Sequence, residues 1–367
     1  MRFSLLYEIA LPMELEAAGK TESEAFWEAV EQIRYAEEMG FDAVWLVEHH
    51  FLEDLSRSSA SDIFLAAIAQ HTKRIRIGLG VVLMPTPYSH PFKIAERVAS
   101  LDIVSRGRVE FGCGRSTTAE ELDGFGVPTD QARQMMVEAM RVVPQMWRQR
   151  EFPGFKGAYM DLPARVVVPK PVQKPHPPMW MACGSPTSFH LAGELGVGCL
   201  SFTISTPTEL AKSLEHYREG QKTAKPVGDF VNNNIAGFTT LYVGDDDAAA
   251  RERGGLNSIG HHGRVLKYIR DVPQRAGYNE ASHSREGRAS VVGTDVQLAI
   301  EEARVCVGGV ATVENIIRQW EAIGIDEFMG VVQFNEITHE ESMRTIRLMG
   351  EQVIPKFRAT RPLETVG

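Results

Sequence analysis

A chain of 367 residues with 43% hydrophobic and 24% charged residues carries enough apolar mass for one large α/β barrel or for two ordinary domains. Its formal net charge of -9, with no basic stripe, argues against nucleic acid or an anionic membrane surface as partner. No run of eighteen apolar residues occurs. The first nine residues, interrupted by Glu8, are too short for a signal peptide or a membrane span, so a cytoplasmic location is expected. In chain order, residues 2–8 predict a first strand. Residues 23–39 predict a helix with Phe26, Val30, Ile33 and Ala36 on one face and Gly40 as its stop. Residues 42–47 predict a second strand, 61–71 a helix, 75–84 a β-rich apolar run, and 91–104 a helix opened by Pro91. Residues 108–113 predict a fourth strand and 130–148 a fourth helix. A proline-rich extended connection occupies 162–178. Then follow strand 179–183, helix 186–195, strand 198–202, helix 208–223, strand 235–243, helix 313–323, strand 327–332 and helix 340–353.

Eight strands alternating with helices, without a break in composition, predict a closed (β/α)8 barrel, with residues 1–367 as one domain. Segment 245–302 is too long for a plain barrel helix. It is rich in Gly, His, Arg and Ser and contains His261 and His262. It reads as an insertion near strands seven and eight over the catalytic face, or as a plain surface excursion. Cys113, Cys183, Cys199 and Cys306 are far apart in apolar or glycine-rich stretches and read as buried reduced thiols.

The strand ends carry the chemistry, because parallel α/β folds build their sites there. The second strand delivers Glu48, His49 and His50, and imidazole is the side chain best suited to proton exchange near neutral pH. Successive strand residues point to opposite sides, so one of the two histidines is expected to face the mouth. No His-x-x-x-His or spaced carboxylate set accompanies them, which argues against a metal. Gly78 and Gly80 in the third strand mark a bulge, a close approach by a ligand, or local packing. The fourth strand ends in Gly112-Cys113-Gly114-Arg115-Ser116-Thr117-Thr118. This is neither a P-loop nor a dinucleotide fingerprint, yet a guanidinium and three hydroxyls suit an anion such as phosphate. Its partner is Gly184-Ser185-Pro186-Thr187-Ser188, where a strand opens into a helix. Free N–H groups there bind anions, and Ser185 before Pro186 is also good capping chemistry.

Four stretches then match a known pattern in order: 38–51, ending Glu48-His49-His50-Phe51; 81–91, ending Pro85-Thr86-Pro87-Tyr88-Ser89-His90-Pro91; 101–112; and the proline run 173–180. On these the chain resembles the bacterial luciferase-like flavin monooxygenases. The resemblance implies a TIM barrel that uses FMN, reduced by a separate NAD(P)H:flavin reductase, together with dioxygen to oxidise a small organic substrate. It implies a homodimer formed through the early helices. His49 falls at the catalytic histidine, Gly80-Val81 at a non-prolyl cis peptide against the flavin ring, Arg115 at the phosphate arginine, and Ser185 and Ser188 at hydroxyls on the phosphate. Thr117 and Gly184 join that cofactor set, and Glu48, His50 and Phe51 are assigned to the substrate pocket. Phe51, Leu52 and Leu55 give that pocket an apolar character. Gly114 stands where luciferase has a reactive cysteine, and Gly184 where it has a glutamate, which argues against light emission. A deazaflavin-dependent oxidoreductase of the same barrel is the alternative. A non-catalytic flavin-binding relative is disfavoured by the retained histidine.

Overall fold

The computed structural model describes residues 1–201, 204–270 and 295–358. Eight parallel strands close on themselves: β1 (Arg2–Tyr7), β2 (Ala43–Leu46), β3 (Arg76–Leu83), β4 (Val109–Gly114), β5 (Met179–Cys183), β6 (Gly198–Ser201), β7 (Ile235–Val243) and β8 (Glu327–Val331). Spatial neighbours follow chain order, and β8 returns to pair with β1, Phe3 opposite Phe328. Closure satisfies the strand edges of the barrel and gathers the carboxyl ends into one mouth. The strands read as near-continuous apolar runs because helices cover the outside and side chains fill the inside. Each expected barrel strand is present, with ends within one residue of expectation; Phe202, the expected end of β6, lies outside the described residues.

The outer helices begin with local sequence signals. Thr21 and Glu24, Thr206 and Glu209, and Thr338 and Glu341 form reciprocal capping boxes, each satisfying two otherwise orphaned backbone donors. In Glu22–Glu38 the fully buried stripe is Ala25, Ala29, Gln32, Ile33 and Ala36. Phe26 and Val30, expected on that face, pack along its margin. The four cysteines are buried and unpaired by disulfides, and burial pushes the Cys113 thiol up.

The amino-terminal end of the barrel is closed by an ionic and aromatic plug. Arg2 meets Glu327 at 2.6 Å and Glu110 at 3.3 Å, and Arg76 also binds Glu110. The indole N–H of Trp45 donates to Glu327 at 2.6 Å and that of Trp180 to Glu110 at 2.7 Å, the two indoles packing edge to face at 5.5 Å. Gly78 is explained here: a Cβ at that position would lie 2.2 Å from the Trp45 ring. Of the readings open for this glycine, local packing holds.

The segment expected as an insertion contains a 24-residue helix, Asp247–Arg270, and a short helix, Val296–Glu301; residues 271–294 lie outside the described residues. Strand β7 is shared. Its first part pairs with β8, while Leu241, Tyr242 and Val243 pair with an additional short strand, Cys306–Gly308, absent from the expected set. The second half of Asp247–Arg270 lies against the loop after β2. Arg264 pairs with Asp54, the Tyr268 hydroxyl accepts from the Asp54 amide at 3.2 Å, and Tyr268 packs with Leu52 and Leu55.

Candidate active site at the barrel mouth

Strand β2 stops at Leu46, so strand alternation does not govern the residues that follow. Val47 to Phe51 leave the sheet, tied down by the Ser58 hydroxyl donating to the Val47 carbonyl at 2.6 Å and the His49 amide donating to the Ser58 carbonyl at 2.9 Å. The His49 ring then meets a partner that the sequence reading did not name. Its Nδ1 lies 3.0 Å from Glu121 Oε1, which also accepts the His50 amide at 3.0 Å. The other oxygen, Oε2, accepts the Ser116 hydroxyl and, at 2.7 Å, the Thr118 hydroxyl. Glu121 is fully buried on the short helix Ala119–Gly124, which Thr118 caps.

Burial alone would raise the Glu121 carboxyl. The His49 charge, the hydrogen bond to His49 and the two hydroxyls outweigh it and hold the group down at about 2. Burial would lower His49, but the charge and hydrogen bond of Glu121, with smaller help from the charges of Glu8 and Glu48, reverse this and raise the imidazole above its ordinary 6.5. An ionised carboxylate only accepts, so the network assigns the proton at Nδ1 and leaves Nε2 as the basic nitrogen. The His49 side chain keeps 28% of its surface, enough for its ring to be reached from the mouth.

The remaining motif residues divide. Glu48 Oε2 accepts the Leu83 amide at 3.1 Å and Oε1 lies 3.4 Å from His50 Nε2. Glu48 thus ties the β2 loop to the end of β3. His50 turns its ring to Phe125, edge to face at 4.8 Å. Phe51 is 60% exposed, has φ of +65° and lies 5.5 Å from Phe125, which also meets Tyr88 at 4.9 Å. A bulky side chain in the left-handed region costs about 1–2 kcal/mol, and such strain concentrates at functional sites. The four rings form an aromatic rim around the β2 and β4 ends.

On the expected cofactor side, the Gly80-Val81 peptide is cis and the β3–β4 register shifts between Leu79 and Val82. Gly112 and Gly114 make room for this segment: a Cβ would lie 2.2 Å from the Leu79 carbonyl at the first and 2.2 Å from Val81 at the second. Of the three hydroxyls after Arg115, Ser116 and Thr118 are committed to Glu121, and Thr117 is exposed. The phosphate expectation for that hydroxyl group therefore narrows to Arg115 and Thr117. Arg115 Nη1 donates to the Ser116 carbonyl at 3.3 Å. The pairing of Cys113 with Met181 brings the Arg115 end of β4 beside the Gly184 end of β5. There Ser185 and Ser188 cap Pro186–Glu194 reciprocally, and the Gly184 and Ser185 amides donate to Ser188 Oγ at 3.0 and 2.9 Å. A guanidinium beside a helix amino terminus fits a phosphate.

Glu121 and Phe125 were the residues missed. The spacing Thr118-x-x-Glu121 before an apolar position is a capping signature, and it was the one available signal.

The chain matches the family model for luciferase-like monooxygenase over residues 1–327. It is 30% identical to limonene 1,2-monooxygenase of Rhodococcus erythropolis over 241 residues, 63% of this chain and 59% of that one. It is 24% identical to the oxygenase component of a flavin-dependent trigonelline monooxygenase of Acinetobacter baylyi, covering 98% and 97%. An F420-dependent glucose-6-phosphate dehydrogenase of Amycolatopsis mediterranei is 29% identical over 231 residues, 60% of this chain and 68% of that one. Among solved structures, the monooxygenase RslO1 from Streptomyces bottropensis superposes with a TM-score of 0.80 at 27% identity, covering 97% of this chain and 100% of that one.

Proposed function

Because the chain belongs to the luciferase-like monooxygenase family, we propose that it is the oxygenase component of a flavin-dependent monooxygenase that uses reduced FMN and dioxygen to oxidise a small apolar organic substrate. The observation that carries this reading is the His49–Glu121 pair at the carboxyl end of the barrel, a part-exposed imidazole held by a buried carboxylate on the strand ends where such folds react. When bound, reduced FMN supplies the two electrons with which dioxygen is activated. Arg115, Thr117, Gly184, Ser185 and Ser188 would hold its phosphate, and Gly80 and Val81 would back its ring. Glu121 fixes the His49 ring through Nδ1, so that Nε2 holds or moves a proton at the reacting oxygen. His50, Phe51 and Phe125 shed water from the rim and receive an apolar substrate. The oxygenase-component relative supports delivery of reduced flavin by a separate reductase, and we extend the reading to a homodimer.

The F420-dependent relative motivates the second reading, a deazaflavin-dependent oxidoreductase. Anaerobic titration with reduced FMN and with reduced deazaflavin, followed by 18O-labelled dioxygen and a panel of small apolar substrates, separates them. Tight binding of reduced FMN and one labelled oxygen atom in the product is the expected result. Binding of the deazaflavin alone, with hydride transfer and no label, would overturn it.

A further inference from the structure

A second pair of titratable side chains meets at the carboxyl end of the barrel and has no part in the couple just described. Glu8 follows the last residue of β1, and His261 comes from the middle of Asp247–Arg270; they are 7% and 3% exposed. His261 Nε2 lies 3.7 Å from Glu8 Oε2, beyond hydrogen-bond length. Glu8 Oε2 is sealed from solvent and accepts no hydrogen bond among the described residues. Glu8 follows Tyr7, which pairs with Leu46 and whose carbonyl accepts the Val47 amide at 3.1 Å, so it stands at the carboxyl ends of β1 and β2, at the same mouth as His49.

The pair is held by its surroundings. Arg264, one turn from His261, binds Asp54, Glu14 at 2.7 Å and Asn335 at 3.0 Å. Asn257, one turn before, accepts from Asn335 at 2.9 Å and from the Glu336 amide at 3.0 Å. Phe334 packs on the His261 ring at 6.0 Å, and the Glu8 carbonyl accepts the Ser56 hydroxyl at 2.7 Å. Five chain segments thus fix an acceptor and an imidazole slightly too far apart to satisfy each other. A buried carboxylate oxygen without a donor is costly, so such a gap is suited to a ligand that completes it. The completing group must donate to the carboxylate and accept from the imidazole N–H. A hydroxyl does both.

We propose that Glu8 and His261 form a hydroxyl-binding subsite for the substrate, so that the ligand class is an apolar ring or chain carrying one alcohol group. This rests on the mouth being the site for a small apolar substrate. It adds a second contact, distinct from His49, that sets which part of the substrate faces the reacting end.

The test compares binding of cyclohexanol and methylcyclohexane to the full-length protein, followed by titration of ligand-induced shifts in the histidine NMR signals, in wild type, Glu8→Gln and His261→Phe, with circular dichroism to confirm folding. The wild type should bind the alcohol at least tenfold more tightly than the hydrocarbon. Each substitution should bring that ratio close to one while leaving hydrocarbon affinity within about twofold. If wild type binds both probes equally, or the preference survives both substitutions, the subsite is wrong and the apolar mouth stands. If neither probe shifts the His49 signal in wild type, the apolar-substrate reading falls and this proposal falls with it.

Discussion

The two ends of the barrel bury the same kind of group and do opposite things with it. At the amino-terminal end, Glu110 and Glu327 are met by Arg2, Arg76 and the indole N–H groups of Trp45 and Trp180. None of these partners gives up a proton in the working pH range, so the cluster has nothing to exchange and locks the strands. At the carboxyl-terminal mouth, Glu121 is met by two hydroxyls and an imidazole. Its partner can titrate, and its environment keeps the carboxylate ionised while it does. A buried carboxylate becomes scaffold or chemistry according to whether its partner can release a proton.

The largest expected effect falls at the mouth. His49→Ala should lower kcat by about 10³-fold with reduced FMN saturating, within the range for loss of a general acid–base group, while the thermal midpoint stays near wild type. Turnover at the wild-type rate would remove His49 from the chemistry. At the other end the next largest effect should be on folding. Arg2→Leu leaves Glu327 without its cation, and urea denaturation should show a loss of about 3 kcal/mol with activity per folded molecule preserved. A loss of activity larger than the folded fraction explains would break the division between the two ends.

Glu121→Gln should have a smaller effect on rate, about 10²-fold, the low end of the range for a general acid–base group, because imidazole remains but its Nδ1 proton is no longer held by a charge. It also carries a pH signature. His49 is raised in the folded state, so its contribution to stability is complete below about 6.5 and is lost as pH rises through the folded value. Glu121 is depressed to about 2, so its contribution is complete above about 4.5 and is lost as pH falls through about 2. The stability difference between wild type and Glu121→Gln should therefore be greatest between about pH 4.5 and 6.5 and shrink on either side, measurable as denaturation midpoints across pH. The smallest effect belongs to the plug again. Burial raises the Glu327 carboxyl despite Arg2, so the charge there is held at a cost, and Gln keeps an acceptor for the Trp45 N–H. Glu327→Gln should shift stability by less than about 1 kcal/mol.

Much of this architecture was legible because strands and helices announce themselves locally. Continuous apolar runs such as 179–183 and 235–243 have the observed bounds, since short segments buried on both faces leave little choice of period. The helix Asp247–Arg270 was not legible as one. Gly254, Gly255 and Gly260 depress its helix propensity, but they let it approach closely: a Cβ at Gly254 would lie 2.9 Å from Tyr242 and one at Gly255 2.2 Å from Val296. Packing overrode propensity. The site was half legible. Strand-end position singled out His49, whereas Glu121 lies 72 residues away on a six-residue helix with no period to detect, and its pairing with His49 exists only once β2 and β4 are brought together through β3. Arg2 and Glu327 escaped for the same reason, being opposite ends of the chain joined by closure of the barrel.

The most direct measurement is an NMR titration of the His49 ring in wild type and in Glu121→Gln. In wild type the midpoint should lie above 6.5 with the proton retained at Nδ1 in the neutral form, and in the variant it should fall. Identical midpoints, or a wild-type midpoint below 6.5, would show that Glu121 does not hold His49 and that the mouth is not built around this couple.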